Sequence, residues 1–147
     1  MSGWELRMPS VFSRIIAGEL PGTFVWKDDR AVAFLSINPI NTGHALVVPR
    51  EEIDHWLDLD DDLARHLMSV ARSIGLAQQR AFNPARVGLV IAGYEVPHCH
   101  VHVIPTEGMH HLDFANAAAS VDPAELEAAA ARIRQALTDL GYSEVAE

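Results

Sequence analysis

Hydrophobic and polar positions change period along the chain, and each change predicts an element. Residues 11–17 put Phe12, Ile15 and Ile16 on one side of a helical spacing, which Gly18 and Pro21 stop. Runs of β-branched and aromatic residues at 23–26 and 31–35 flank Lys27-Asp28-Asp29-Arg30, a pattern for a hairpin with a four-residue loop. Asn38-Pro39-Ile40-Asn41-Thr42-Gly43 reads as a loop, followed by a third strand at 44–48 that Pro49 closes. A turn or two is expected over 51–57, and Asp60 or Asp61 then caps a helix reaching about Ala81, with Leu63, Leu67, Val70, Ile74 and Ala77 as its apolar stripe. Residues 87–92 form another strand broken by Gly93, and the strand after it, through residue 105, is its expected neighbour. A loop runs to Ser120, and Asp122-Pro123-x-Glu125 opens a last helix that ends near Leu140-Gly141.

Strands in hairpin order, with helices between and after them, predict an α+β fold. Residues 1–7 lack periodicity and read as a flexible N-terminal lead-in, with Met8 as a possible natural start, before one domain over 8–147. Acidic residues outnumber basic ones by 20 to 11, for a formal charge of −9, which excludes a broad electrostatic footprint for nucleic acid. A phosphate-bearing substrate must then be held by local donors. No segment has the length or flanks of a signal peptide or a membrane span, and the single cysteine, Cys99, permits no intrachain disulfide. A cytoplasmic protein without a membrane partner is expected.

The chemistry concentrates in Val96-Pro97-His98-Cys99-His100-Val101-His102-Val103-Ile104-Pro105. Alternate residues of a strand share a face, so His98, His100 and His102 should form a row with neighbours roughly 6 to 7 Å apart, and Cys99 should point away. Imidazoles near their neutral pKa can supply a nucleophile, a proton donor and a neutral acceptor together, which suits phosphoryl or nucleotidyl transfer. His-x-His on a strand is equally a zinc-ligand pattern, and three histidines satisfied by their surroundings are the bland alternative.

The triple alternation, preceded by Phe34-Leu35-Ser36-Ile37 and Gly43-His44-Ala45-Leu46-Val47-Val48-Pro49, resembles the histidine triad (HIT) family in order and spacing. The resemblance implies an antiparallel sheet of about five strands with flanking helices, continued across a homodimer, and activity on nucleotides. It further implies His100 as nucleophile at the α-phosphorus, forming a nucleotidyl-histidine, with its other nitrogen held by the carbonyl of His98. His102 would donate to the phosphate, and His44 would pair with His98 and fix its tautomer. The purine nucleotide would lie against Val11, Phe12, Ile15, Leu20, Phe34, Leu35 and Ile37. Ser36 stands where the family usually has an acid or asparagine for the ribose, so Asn38 or a water is expected to substitute.

Two departures bear on the reaction. The loop before the triad is short, with Tyr94 and Glu95 in place of the usual glutamine and hydroxyl residue, so Glu95 either meets the phosphates or offers only its backbone N–H. Some relatives carry a zinc-binding Cys-x-x-Cys near the N-terminus, and here those positions are Ser10 and Ser13, poor zinc ligands. No metal or other cofactor is therefore expected. The resemblance implies a hydrolase or transferase acting on a nucleoside phosphoramidate or dinucleoside polyphosphate. Its alternatives are a nucleotide-binding or interaction module with little turnover, and a zinc-dependent hydrolase using the histidine row. His55, His66, His110 and His111 are assigned to surface or loops, and the Leu63 to Ala77 stripe is offered as apolar surface for a homodimer.

Overall fold

In the computed structural model, which describes residues 8–147, five antiparallel strands form one sheet. The expected lead-in over residues 1–7 lies outside the described residues. In chain order the elements are α1 (Val11–Ile16), β1 (Phe24–Lys27), β2 (Ala31–Leu35), β3 (Ala45–Pro49), α2 (Asp61–Phe82), β4 (Arg86–Val90), β5 (Val101–Thr106) and α3 (Pro123–Asp139). The spatial order is β1-β2-β3-β5-β4, so β3 and β5 lie side by side in the middle of the sheet.

Local chemistry explains the boundaries. Lys27 extends β1, leaving a three-residue turn in which Asp28 Oδ1 accepts the backbone N–H groups of Arg30 and Ala31, both at 2.8 Å. The side chain of Asp60 accepts from the amide of Leu63 and caps α2, while Asp122 caps α3 with Pro123 in its first turn. Gly43 has φ +87°, and a Cβ there would lie 2.4 Å from a ring carbon of Phe82, so only glycine fits this turn into β3.

Side-chain alternation divides the core in two. Val25, Ala31, Ala33, Leu35, Ala45, Val47, Val101 and Val103 face α2 and α3, where they meet the buried stripe Leu63, Leu67, Val70, Ile74 and Ala77. That stripe is core within the chain, so it is unavailable to a dimer interface and the role expected of it is corrected. On the other face Phe24, Val32, Phe34, Leu46 and Val48 pack beneath Phe12 of α1. Register runs a single row across this face, Phe24 to Phe34 to Leu46 to His102 to Val90. The row sets His102 of the motif beside an aromatic and aliphatic floor, between Leu46 and Val90.

The two edges of the sheet differ. Beside β1 the C-terminal tail adds a bridge from Val145 to Trp26, with Lys27 N–H donating to the Glu144 carbonyl and Ala146 N–H to that of Val25. Beyond β4 no strand follows among the described residues, and Leu89 and Ile91 stay exposed there. No helix among those residues is long and apolar enough to cross a membrane.

Candidate active site

Regular pairing in β5 begins at Val101, so His98 and His100 belong to the segment leading into the strand and only His102 sits in the ladder. The row is accordingly less even than an ideal strand predicts. The rings of His100 and His102 are 4.9 Å apart between centroids, and those of His44 and His102 are 5.1 Å apart. Cys99 points to the opposite face and joins the α2 and α3 core, where burial raises its thiol pKa to about 11.

All four histidines are buried, and their hydrogen bonds settle where each proton sits. Ile40 N–H donates to His44 Nδ1 at 3.0 Å, so the His44 proton is on Nε2 and is donated to His102 Nδ1 at 2.9 Å. His102 then carries its own proton on Nε2. Burial drives both toward the neutral form, His44 to about 4, and His102 to about 3 with help from the nearby His44 and His100. His100 Nδ1 donates to the carbonyl of His98 at 2.7 Å, the contact the resemblance implies, and its Nε2 has no hydrogen-bond partner among the described residues.

His44 therefore pairs with His102 and not with His98, a correction that follows from register. Ala45 lies opposite Val103 and Leu46 opposite His102, so His44, one step further along, is a diagonal neighbour of His102. His98 is at the far end of β3, where its Nε2 donates to the carbonyl of Pro49 at 2.7 Å. Its Nδ1 accepts from the hydroxyl of Ser10, also at 2.7 Å.

The apolar positions expected to meet the base divide in the same way. Phe12 and Phe34 lie on the histidine face in edge-to-face contact, and Phe12 reaches 4.9 Å from the His100 ring. Ile15 packs beside them and Leu20 is half-buried, whereas Val11 and Ile37 are exposed. Leu35 is removed from the set, because alternation turns it to the α2 and α3 core. Both amide hydrogens of Asn38 go to the carbonyls of Ala118 and Ala119, which fixes the side chain and leaves its Oδ1 as the atom able to take the acceptor part of an acid at Ser36. Ser36 Oγ accepts from Asn38 N–H and is half-buried. Glu95 and Tyr94 face solvent, which leaves the backbone of residue 95 as its remaining means of reaching a phosphate.

Three features were not found from sequence. A cavity of about 260 Å³ opens beside His100 between Asp54, His55 and Trp56 on one side and Ile91, Gly93 and Tyr94 on the other. Phe114, in a 3₁₀ turn within the segment read as loop, sets its ring 4.7 Å from that of His102. Glu52 bonds to Ser10 and Ser13, a contact across 42 residues that local spacing does not reveal. The Ser10-x-x-Ser13 spacing is itself an N-cap signal, since Ser10 Oγ accepts the Ser13 amide.

Residues 17–109, most of the segment holding this site, match the family model of the HIT domain. The chain belongs to the histidine triad family. This HIT protein is 32% identical over 142 residues to an uncharacterized HIT-like protein of Mycobacterium tuberculosis, a match covering 88% of this chain and 94% of the relative. Its fold aligns with a hypothetical histidine triad nucleotide-binding protein from Sulfolobus tokodaii at a TM-score of 0.76 and 28% identity, covering 88% and 92% of the two chains. A Zn-bound histidine triad family protein from Mycobacterium smegmatis aligns at a TM-score of 0.77 and 25% identity, covering 88% and 94%. Membership of the family supports a nucleotide-binding or hydrolase/transferase role for the HIT protein.

Proposed function

We propose that this HIT protein transfers and hydrolyses nucleotidyl groups, attacking the α-phosphate of a purine nucleoside phosphoramidate or dinucleoside polyphosphate through His100. The observation that carries the reading is the 2.7 Å bond from His100 Nδ1–H to the His98 carbonyl, which leaves the Nε2 lone pair as the reactive end of the ring. Attack forms a bond from Nε2 to phosphorus and breaks the bond to the leaving group, which departs with a proton drawn from solvent. Water then cleaves the nitrogen–phosphorus bond, releasing the nucleoside monophosphate and a proton and restoring neutral His100. His102, held with its proton on Nε2, donates to an oxygen on the same phosphorus and stabilises the charge that builds there. Phe12 and Phe34 form the apolar wall for the base, with Ile15 and Leu20 at its margin.

The zinc of the Mycobacterium smegmatis protein does not carry over to this donor set. Both nitrogens of His98 are engaged, His44 and His102 bond to each other, and Ser10 and Ser13 offer hydroxyls in place of thiolates. Among the described residues, no three His, Cys, Asp or Glu side chains are grouped to hold a metal ion. The proposed chemistry thus runs on imidazoles alone, in a cytoplasmic homodimer formed by pairing the β4 edges of two copies.

The deciding experiment measures AMP release from adenosine 5′-phosphoramidate and from a diadenosine polyphosphate by wild type and His100→Ala. Release by wild type that the substitution abolishes is the expected result. Nucleotide binding without turnover by wild type would replace the enzyme reading with that of a binding module.

A further inference from the structure

His98 lies at 0% exposure and its ring cannot exchange a proton with substrate, because each nitrogen is already committed. The Pro49 carbonyl can only accept, so Nε2 keeps its proton, and Nδ1 must then accept the hydrogen of the Ser10 hydroxyl. The same Oγ accepts the amide of Ser13 at 3.0 Å and caps α1. A single hydroxyl therefore joins the helix that carries Phe12 to the histidine whose carbonyl holds His100.

Ser10 is itself anchored. Glu52 Oε1 accepts the backbone N–H of Ser10 at 2.5 Å and the hydroxyl of Ser13 at 2.8 Å. With the Ser13 hydroxyl drawn to the carboxylate, the Ser10 hydroxyl is the nearer partner of His98 Nδ1, at 2.7 Å against 3.5 Å for Ser13. The bond from Ser10 N–H, with the Ser13 hydroxyl and against opposing burial, holds the Glu52 carboxyl below its ordinary range and keeps it an acceptor.

We propose that Ser10 and Glu52 are positioning residues that act through His98 to fix the tautomer and aim of His100. Glu52 fixes Ser10, Ser10 and Pro49 pin both ends of the His98 ring, and the pinned backbone presents the His98 carbonyl to His100 Nδ1. Phe12, between the two serines in sequence, packs its ring 5.9 Å from His98 and 4.9 Å from His100, so nucleoside wall and nucleophile share one anchor. This rests on His100 being the nucleophile of the proposed reaction.

The test combines imidazole ¹⁵N NMR of histidine-labelled protein without substrate and AMP release from adenosine 5′-phosphoramidate. Wild type is expected to hold His100 in the Nδ1–H tautomer. Ser10→Ala and Glu52→Ala should mix its tautomers and lower kcat about tenfold or more, with a smaller rise in KM as the Phe12 wall loosens. Ser10→Thr and Glu52→Gln, which keep the hydroxyl and an acceptor oxygen, should restore the single tautomer and most of the rate. Should Ser10→Ala fail to fold, the half-buried Glu52→Ala carries the same comparison. A single tautomer and an unchanged kcat in the alanine variants would overturn the proposal. Wild type that releases no AMP would instead overturn the proposed reaction, and the NMR arm would still decide whether Ser10 and Glu52 set the state of His100.

Discussion

His44 and His102 touch nitrogen to nitrogen at 2.9 Å, and the Ile40 amide behind His44 gives that contact a direction. The proton on His44 Nε2 occupies the only acceptor His102 has left and forces the His102 proton outward toward the proposed phosphate site. His44→Ala removes this constraint. It is expected to lower kcat for AMP release by about 10- to 100-fold while KM shifts less than about twofold. A kcat equal to wild type would mean that His102 does not act through a fixed Nε2–H.

The same pair predicts how stability varies with pH. Burial depresses His44 to about 4 and His102 to about 3 in the folded chain, against an ordinary 6.5 once unfolded. Between those limits the unfolded chain binds more protons, so stability is full above about pH 6.5 and is lost as pH falls toward the folded values. For His44 alone the span corresponds to something on the order of 3 kcal/mol. Urea midpoints should be level from pH 7 to 8 and decline steadily from pH 6.5 to 4.5. A flat profile over that lower range would mean that the pair is not held neutral by burial.

Gln78 works from behind the sheet. Its buried side-chain amide donates to the carbonyls of Gly43 and Val103, each at 2.9 Å, next to His44 and His102 in sequence. Its Oε1 has no partner among the described residues, so removing it relieves one unsatisfied atom while stranding two carbonyls. Gln78→Leu should cost about 1–3 kcal/mol in urea unfolding at pH 7. A neutral or stabilising change would show that the two carbonyls find other donors.

The exposure of Glu95 gives a prediction of little change. Facing solvent, its carboxylate is screened from a phosphate bound near His100. Glu95→Gln should leave KM for adenosine 5′-phosphoramidate within about twofold of wild type. A KM lowered several-fold would show that the side chain swings toward the ligand.

The edge of β4, uncovered among the described residues, is the proposed place for self-association. Leu89→Glu puts a charge on an exposed apolar position of that edge, and light scattering at micromolar protein should show a dimer in wild type and a monomer in the variant. A monomeric wild type would remove the proposed pairing.

Strand and helix positions were legible wherever periodicity was strong, as in Ala31–Leu35, Ala45–Pro49 and the Leu63 to Ala77 stripe. What sequence could not supply was register and facing. Leu35 and Phe34 are equally apolar neighbours, and only the pairing of Phe34 with Leu46 and of Leu46 with His102 reveals which one shares the histidine face. The partner of His44 depends on the same register. Ser10 and Ser13 were visible as replacements for cysteines, yet their bond to Glu52 required the chain to fold back across 42 and 39 residues. The stripe of α2 illustrates a different limit, because an apolar face looks alike whether α3 or a second copy covers it.

The bridge from Val145 to Trp26 limits which edge of the sheet can take part in the proposed pairing. With that edge of the sheet already occupied by residues 144–146, β4 is the uncovered edge among the described residues. In the proposed homodimer, two-fold pairing there would consume the same edge on both partners, so growth would terminate at two and the sheet would not propagate into a fibre. Detaching residues 144–147 would uncover a second, chemically different edge and turn a self-limiting pair into a chain with an attachment point at each end.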